Sequence, residues 1–152
     1  MFPGMAVRRV SPPAAFARTA DASDVPALTR LLEQLGYPCS EEQVRARLTF
    51  GPPDRRVVVA ELDGDVVGLA VLELIHPLHD PAPEAVLTAL VTEANARHRG
   101  IARVLLADVA RRARQAGAQH LTLRCHRRRD DAHTFYRALG FDETHLTFDR
   151  GL

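Results

Sequence analysis

The sequence predicts one mixed α/β domain in which helices lie on both faces of a twisted, mixed and mainly antiparallel sheet. In the first half of the chain, apolar stretches with the spacing of strands flank a two-residue hairpin turn. In the second half, predicted helices and predicted strands alternate. The predicted order is β-α-α-β-β-β-α-β-α-β, with six to seven strands and about four helices. We expect residues 1–13 to form a flexible tail and residues 14–152 to form the single domain.

The first two helices follow a short extended segment at residues 16–19. Apolar residues recur at helical spacing over residues 25–35, and Gly36 ends that run. Ser40 and Gln43 have the spacing of a capping box, in which each side chain binds the backbone of the other residue. This spacing predicts that a second helix begins immediately after Ser40.

A hairpin and a third strand are predicted next. Residues 56–62 form a Val-rich strand, Asp63-Gly64 is a favoured two-residue turn, and residues 66–75 return as the second strand. After a loop rich in Pro and His, residues 86–91 form an apolar third strand. Three consecutive strands of this kind favour antiparallel pairing at the centre of the sheet.

The second half of the chain alternates helices with strands. Residues 100–116 carry apolar residues on one helical face, and Gly117 follows where the helix should end. We expect a strand at residues 121–125, a helix at residues 130–139 and a last strand near residues 144–149.

Composition restricts the class of protein. A chain of 152 residues with 46% hydrophobic and 26% charged residues suits a soluble domain with one core, rather than a disordered chain. The sequence contains no apolar run of membrane-spanning length, and the Pro-rich N-terminal segment lacks the apolar stretch of a signal peptide. We therefore expect a cytoplasmic protein with no membrane partner. The two cysteines, Cys39 and Cys125, suggest no disulfide framework.

Charge is distributed unevenly along the chain. The formal net charge is +1, yet residues 97–137 hold 11 Arg against three acidic residues, a net charge of +8 that leaves −7 for the remainder. A basic segment suits an anionic ligand, and an acidic remainder mildly favours a cationic substrate. Solvated faces that mix in the folded protein would give the same counts.

The segment between the third strand and the following helix has the features of an anion site. It has the pattern Arg-x-x-Gly-x-Ala from Arg97 to Ala102. The first-turn amides of a helix have no partner within the helix, and the helix dipole favours an anion there. Gly100 permits close approach of the backbone, while Arg99 and Arg103 add positive charge. The two other common phosphate patterns, Gly-x-x-x-x-Gly-Lys and Gly-x-Gly-x-x-Gly after a strand, are absent from the sequence.

A second motif follows at Ala132, with the pattern Ala-x-x-Phe-Tyr-x-x-x-Gly-Phe that ends at Phe141. Together with the Arg-x-x-Gly-x-Ala loop and the strand between them, it resembles the GNAT superfamily of N-acetyltransferases. The resemblance covers residues 15–149 and is strongest over residues 86–141. It implies a GNAT-like fold and acetyl-coenzyme A as the co-substrate, with no metal.

The resemblance also implies which residues bind the co-substrate. The backbone of Leu90, Val91 and Thr92 would pair with the pantetheine arm, and an amide near Val91 would face the thioester carbonyl. Arg129 stands where the family often has an Asn that binds the pantetheine, so that contact departs from the family pattern. The backbone amides that would hold the diphosphate are those of Arg97, His98, Arg99, Gly100, Ile101, Ala102 and Arg103.

The implied reaction is direct attack of a primary amine on the thioester in a ternary complex. Tyr136 lies where the family places its general acid, and a phenol with an ordinary pKa of about 10 can share a proton with a leaving thiolate. Glu84 is the first candidate base, because it would share a face of the third strand with Thr88 if alternation holds. Glu93 and His79 are the next candidates, and ordered water could replace a dedicated base.

Several alternatives remain open at this stage. A protein of the same fold could sense acyl-coenzyme A without turnover, or could acetylate a protein lysine or N-terminus instead of a small cationic amine. Three consecutive arginines at 127–129 form too short a run, without aromatic residues between them, to indicate a nucleic-acid partner. The histidine spacings match no compact metal site. Many relatives form homodimers, and the sequence does not decide this point.

Overall fold

The structure is a computed structural model that describes residues 14–125 and 130–152. The expected N-terminal tail and the arginines at 127–129 lie outside the described residues. The strands are β1 (Phe16–Thr19), β2 (Arg55–Leu62), β3 (Asp65–Ile75), β4 (Glu84–Thr92) and β5 (Leu121–Leu123), and the helices are α1 (Val25–Leu35), α2 (Glu41–Thr49), α3 (Ile101–Gln115) and α4 (Asp130–Ala138). Short 3₁₀ turns precede α1 at Ala22–Asp24 and follow β4 at Ala94–Ala96.

The five strands form one sheet in the order β1-β2-β3-β4-β5. Each of the pairings β1–β2, β2–β3 and β3–β4 is antiparallel, as the sequence predicts. The turn between β2 and β3 has positive φ angles at both of its residues, 53° at Asp63 and 85° at Gly64. Because such a turn follows the natural twist of the two strands, the predicted Asp-Gly hairpin is confirmed.

The fourth strand contains a β-bulge. Leu72 of β3 pairs with Leu87, whereas the adjacent Val71 pairs with Ala89, so Thr88 is an extra residue on β4. Adjacent residues of β3 point to opposite faces of the sheet, and their partners Leu87 and Ala89 must therefore also point to opposite faces. The regular alternation along β4 is interrupted at Thr88.

Helices pack on both faces of the sheet. On one face, Leu28 and Leu31 of α1 belong to a buried cluster that includes Leu69 of β3 and Val91 of β4. On the other face, the space beside Gly68 is filled by side chains of α3. Because consecutive strand residues point to opposite faces of the sheet, Gly68 faces the α3 layer and Leu69 faces the α1 layer. The prediction of helices on both faces is confirmed.

The helix ends follow the local sequence signals. The Ser40 hydroxyl oxygen accepts a hydrogen bond from the Gln43 amide at 3.2 Å, and the Gln43 side chain accepts one from the Ser40 amide at 3.0 Å. This reciprocal pair is the predicted capping box of α2. Gly36 and Gly117 follow α1 and α3 closely, as expected.

The expected strand count was too high, because the described residues contain five strands rather than six or seven. Residues 144–149 form no strand, and the strand expected at residues 121–125 is the shorter Leu121–Leu123. The apolar residues of the last segment, Leu146 and Phe148, are exposed. Alternation gives such a segment strand propensity, but a strand forms only where a neighbouring backbone completes its hydrogen bonds.

The chain divides into two compact units, the first ending at Thr122 and the second beginning at Leu123. The second unit contains α4 and the segment that follows it. Within it, the ring of Tyr136 makes edge-to-face contacts with Phe135 and Phe141, at centroid distances of 5.4 and 6.1 Å. Among the described residues, no helix has the length and apolar character to cross a bilayer.

Candidate functional site

The loop that leads into α3 has two residues in the left-handed region. His98 has a φ of 64° and Gly100 a φ of 74°. Gly100 adopts this conformation without steric cost, whereas a side-chain-bearing residue such as His98 is strained by it. Non-glycine residues with positive φ are common where a loop is shaped for a ligand, so this strain supports a functional role for the loop.

The N-terminus of α3 carries no side-chain cap. Gly100 occupies the cap position and, within the described part of the chain, no side chain binds the first-turn amides there. The first intrahelical bond runs from the Val104 amide to the Gly100 carbonyl, at 3.1 Å. The amides of Ile101, Ala102 and Arg103 therefore precede the helical ladder and are available to an anion.

Positive charge surrounds these amides. Arg97, His98 and Arg99 are exposed in the loop, and Arg103 is exposed in the first turn of α3. The first turn of α3 contains no acidic residue. The expected anion site therefore has both of its components in the first unit, namely unpaired amides at a helix start and exposed guanidinium groups.

The loop rests on buried side chains. Ala96, which precedes the loop, and Ile101, which follows it, are both buried. Ile101 packs beside Gly68 of the central strand β3. The two ends of the loop are thus fixed to the core, while the arginines between them remain exposed.

The segment between β4 and the loop is held by α1. The Gln34 side chain donates a hydrogen bond to the Thr92 carbonyl at 2.8 Å and accepts one from the Ala94 amide at 3.3 Å. Arg30, one turn earlier on the same helix, forms an ion pair with Glu93 at 3.0 Å. Neither Gln34 nor Arg30 can be singled out from the sequence, because each is a polar residue on an amphipathic helix whose partner is about sixty residues away.

The expected pantetheine-binding residues lie at the end of β4. Leu90 and Thr92 are half-buried, and Val91 is buried against the α1 layer. Leu90 pairs with Ala70 and Thr92 with Gly68, so this part of β4 is regular and lies after the bulge. The Thr92 carbonyl already accepts the Gln34 hydrogen bond, and its second lone pair remains open to another donor.

The candidate bases are spread over the first unit. Glu84 is exposed at the first residue of β4, and His79 is exposed in the preceding loop. Glu93 is engaged by Arg30, which makes it the weakest candidate of the three. Exposure alternates from Glu84 to Thr88, and the register with β3 shifts only beyond Leu87, so the placement of Glu84 and Thr88 on one face stays a prediction.

The general-acid candidate, Tyr136, belongs to α4 in the second unit and is half-buried there. Its backbone carbonyl accepts the Phe141 amide at 3.1 Å, which closes the end of the helix. Its role stays a prediction, as does that of Arg129, which lies outside the described residues. No group of three or more His, Cys, Asp or Glu within residues 14–125 and 130–152 is placed to hold a metal ion.

A groove of about 830 Å³ lies beside the loop, between α1 and the β2–β3 hairpin. Arg18 donates hydrogen bonds to Asp24 and to Glu61, each at 2.8 Å. The hydrogen bonds from Arg18 lower the pKa of the Asp24 carboxyl, against the opposing effect of burial. Arg99 and Asp63 also line the groove, so the loop before α3 and the β2–β3 hairpin share this surface.

Comparison with known proteins places the chain in a family. Residues 25–141 match the acetyltransferase (GNAT) family. The chain is 32% identical over 138 residues to an aminoalkylphosphonate N-acetyltransferase from Salmonella typhimurium, with 90% of this chain and 88% of that protein covered.

Solved structures agree on the fold. A putative acetyltransferase from Agrobacterium tumefaciens superposes with a TM-score of 0.80 at 25% identity, over 90% of this chain and 99% of that one. An aminoglycoside N-acetyltransferase in complex with CoA gives a TM-score of 0.80 at 22% identity, over 90% of this chain and 94% of that one. The chain therefore belongs to the acetyltransferase (GNAT) family and is an acyltransferase.

Proposed function

We propose that this acyltransferase moves an acetyl group from acetyl-coenzyme A to a small primary amine by direct attack in a ternary complex. The observation that carries the proposal is the uncapped start of α3, where free amides follow the exposed guanidinium groups of Arg97 and Arg99. This arrangement fits a diphosphate, which needs several N–H donors and nearby positive charge. Family membership supports the same co-substrate.

In this proposal the first unit binds and orients the co-substrate. Amides from Arg97 to Arg103 hold the diphosphate, and the backbone of Leu90, Val91 and Thr92 pairs with the pantetheine arm. An amide near Val91 donates to the thioester oxygen as negative charge develops on it. Packing of Val91 in the α1 layer supports this role, because a donor in a fixed strand needs no reorganisation during the reaction.

The reaction forms a bond from the amine nitrogen to the acetyl carbon and breaks the bond from that carbon to sulfur. The ammonium group of the acceptor first gives one proton to Glu84 or to ordered water, because only the neutral amine attacks. The leaving thiolate receives a proton from the Tyr136 hydroxyl, and Tyr136 is reprotonated by the second proton that the nitrogen loses as the amide forms. One proton therefore ends on the thiol and one passes to solvent, and the charges balance without a metal ion.

We propose a small acceptor that is cationic at its reacting end. The acidic excess outside residues 97–137 favours such a molecule. The curated relative is named for a small aminated substrate, which supports a small molecule over a protein. A protein lysine or N-terminus is the competing acceptor, and an acceptor panel distinguishes between them.

Titration calorimetry with coenzyme A and acetyl-coenzyme A tests the binding half of the proposal. We expect wild-type protein to bind both, and the double variant Arg97→Gln/Arg99→Gln to bind several-fold more weakly, with the difference shrinking at high salt. Arg114→Gln is the matched control, because Arg114 is also exposed on α3 but lies in its last turn. Failure of the wild-type protein to bind either ligand would reject the proposal.

Thiol release tests the chemical half. The panel contains 2-aminoethylphosphonate, a polyamine, an aminoglycoside, a lysine peptide and a peptide with a free N-terminus, each with acetyl-coenzyme A. Release with a small amine but not with the peptides supports the proposed acceptor class. Release with only the peptides identifies a protein acetyltransferase, and binding without release from any acceptor favours a sensor.

A further inference from the structure

Three consecutive residues, Thr92, Glu93 and Ala94, are held by hydrogen bonds where the chain passes from the end of β4 towards the proposed diphosphate loop, residues 97–103. The Glu93 amide binds the Val67 carbonyl of β3 at 2.8 Å, which continues the β3–β4 ladder by one bond. The residues on either side of it, Thr92 and Ala94, are bound by the side chain of Gln34. One primary amide therefore spans the connection and uses both its donor and its acceptor.

The same face of α1 contributes a second contact. Arg30 lies four residues before Gln34, so the two side chains are neighbours on the helix surface. Arg30 forms an ion pair with Glu93 and also donates to the Val66 carbonyl at 3.3 Å. The helix thus contacts three successive residues of the connection, and it also contacts the end of β3 that pairs with that connection.

We propose that Gln34 is a positioning residue of the coenzyme A site. It holds the Thr92 carbonyl and the Ala94 amide in one geometry, and so presets the short turn that leads to Arg97. This inference rests on the proposed function, because the ligand whose affinity it affects is the proposed co-substrate. Gln34 acts through the backbone and takes no part in the chemistry.

The consequence of such a role is a change in affinity rather than in turnover. Without the amide bridge, the connection must be ordered when the ligand binds, and that ordering weakens binding. Once the ligand is bound at saturation, the diphosphate holds the loop and kcat should be preserved. A residue that merely stabilised the fold would instead change the unfolding midpoint and leave the dissociation constant of folded protein unaltered.

The test compares Gln34→Met and Gln34→Ala with wild-type protein. Methionine keeps the length of the side chain but loses both hydrogen bonds, whereas alanine removes the chain and favours the helix. Glu33→Gln is the control, since Glu33 is the exposed neighbour on α1 and its side chain makes no hydrogen bond or ion pair within the described residues. Calorimetry gives the dissociation constant for coenzyme A, thiol release gives KM and kcat, and thermal scans report folding.

We expect both Gln34 variants to bind coenzyme A about five- to twentyfold more weakly, which corresponds to the loss of one or two surface hydrogen bonds. KM for acetyl-coenzyme A should rise in step, with kcat within about twofold of wild type. Variants that bind as tightly as wild type, or that lose kcat with unchanged affinity, would overturn the inference. Failure of the wild-type protein itself to bind coenzyme A would instead overturn the proposed function.

Discussion

Ile101 occupies the space that a side chain at position 68 would need. A β-carbon on Gly68 would lie 2.7 Å from Ile101 Cγ2 and 3.0 Å from Leu105 Cδ1. Both of these side chains are buried on α3, so neither can move without disturbing the core. The absence of a side chain at position 68 of β3 therefore determines how closely the start of α3 approaches the sheet.

Gly68→Ala should destabilise the protein by about 1–3 kcal/mol, because the added methyl group overpacks the contact with Ile101. The shift of the first turn of α3 should also weaken coenzyme A binding. Urea unfolding and calorimetry measure the two effects. Gly151→Ala is the control, because a β-carbon at Gly151 would meet no atom within 4 Å, and it should change neither quantity. Wild-type stability in Gly68→Ala would contradict the packing argument.

Gly100→Ala tests backbone conformation alone. A β-carbon at Gly100 would meet no neighbour within 4 Å, but the φ of 74° disfavours alanine. We expect a loss of about 1–2 kcal/mol in the free energy of unfolding. Gly100→Asn should cost less, because asparagine tolerates the left-handed region better than alanine does. Equal losses in the two variants, measured by urea unfolding, would argue against conformational strain as the cause.

Asp24 should make stability depend on acid pH. Its side chain is 4% exposed, and hydrogen bonds from Arg18 hold its pKa below the ordinary value. The folded pKa is below the unfolded one, so this stability is present above the unfolded pKa of about 3.9 and is lost as pH falls through the folded pKa. We expect Asp24→Asn to cost about 2–4 kcal/mol at pH 7.

Urea unfolding at pH 7 and pH 3 measures this dependence, and the cost of Asp24→Asn should shrink at the lower pH. Asp21→Asn is the control, because Asp21 is exposed and asparagine caps a helix as well as aspartate does. A deficit for Asp24→Asn that is the same at both pH values would contradict the role of the ionised carboxylate.

Tyr136→Phe removes one hydroxyl and keeps the aromatic contacts with Phe135 and Phe141. If Tyr136 is the proton donor, kcat should fall about a hundredfold or more while the dissociation constant for coenzyme A changes little. Tyr37→Phe is the control, because Tyr37 is the only other tyrosine in the chain and is exposed. A Tyr136→Phe variant with wild-type kcat would contradict the proton-donor role and would show that the Tyr136 side chain only packs.

The features that the sequence predicted correctly depend on residues a few positions apart. The capping box of Ser40 and Gln43 and the Asp63-Gly64 turn need only local hydrogen bonds and local φ preferences. The Arg-x-x-Gly-x-Ala pattern likewise specifies a loop and a helix start in one continuous stretch. Tertiary packing leaves these local structures unchanged, because the hydrogen bonds and φ preferences that produce them lie within one segment.

The features that the sequence did not predict depend on distant partners. The hydrogen bonds of Gln34 join residues 58 and 60 positions apart, and nothing in α1 indicates them. The strand expected near residues 144–149 had alternating Leu146 and Phe148, but alternation cannot specify the backbone that must pair with it. The bulge at Thr88 is a property of the register with β3, which no single segment contains.

The extra residue in β4 has a consequence for insertions and deletions in this strand. Leu87 and Ala89, which are two positions apart, already point to opposite faces, as adjacent residues do in a regular strand. Removing Thr88 alone would therefore leave every inward side chain inward on both sides of the cut. Loss of a residue several positions before Thr88 would instead turn over the residues between the deletion and the bulge, and would expose buried groups such as Leu87. Thr88 is thus a place in β4 where the chain can be shortened without inverting its pattern.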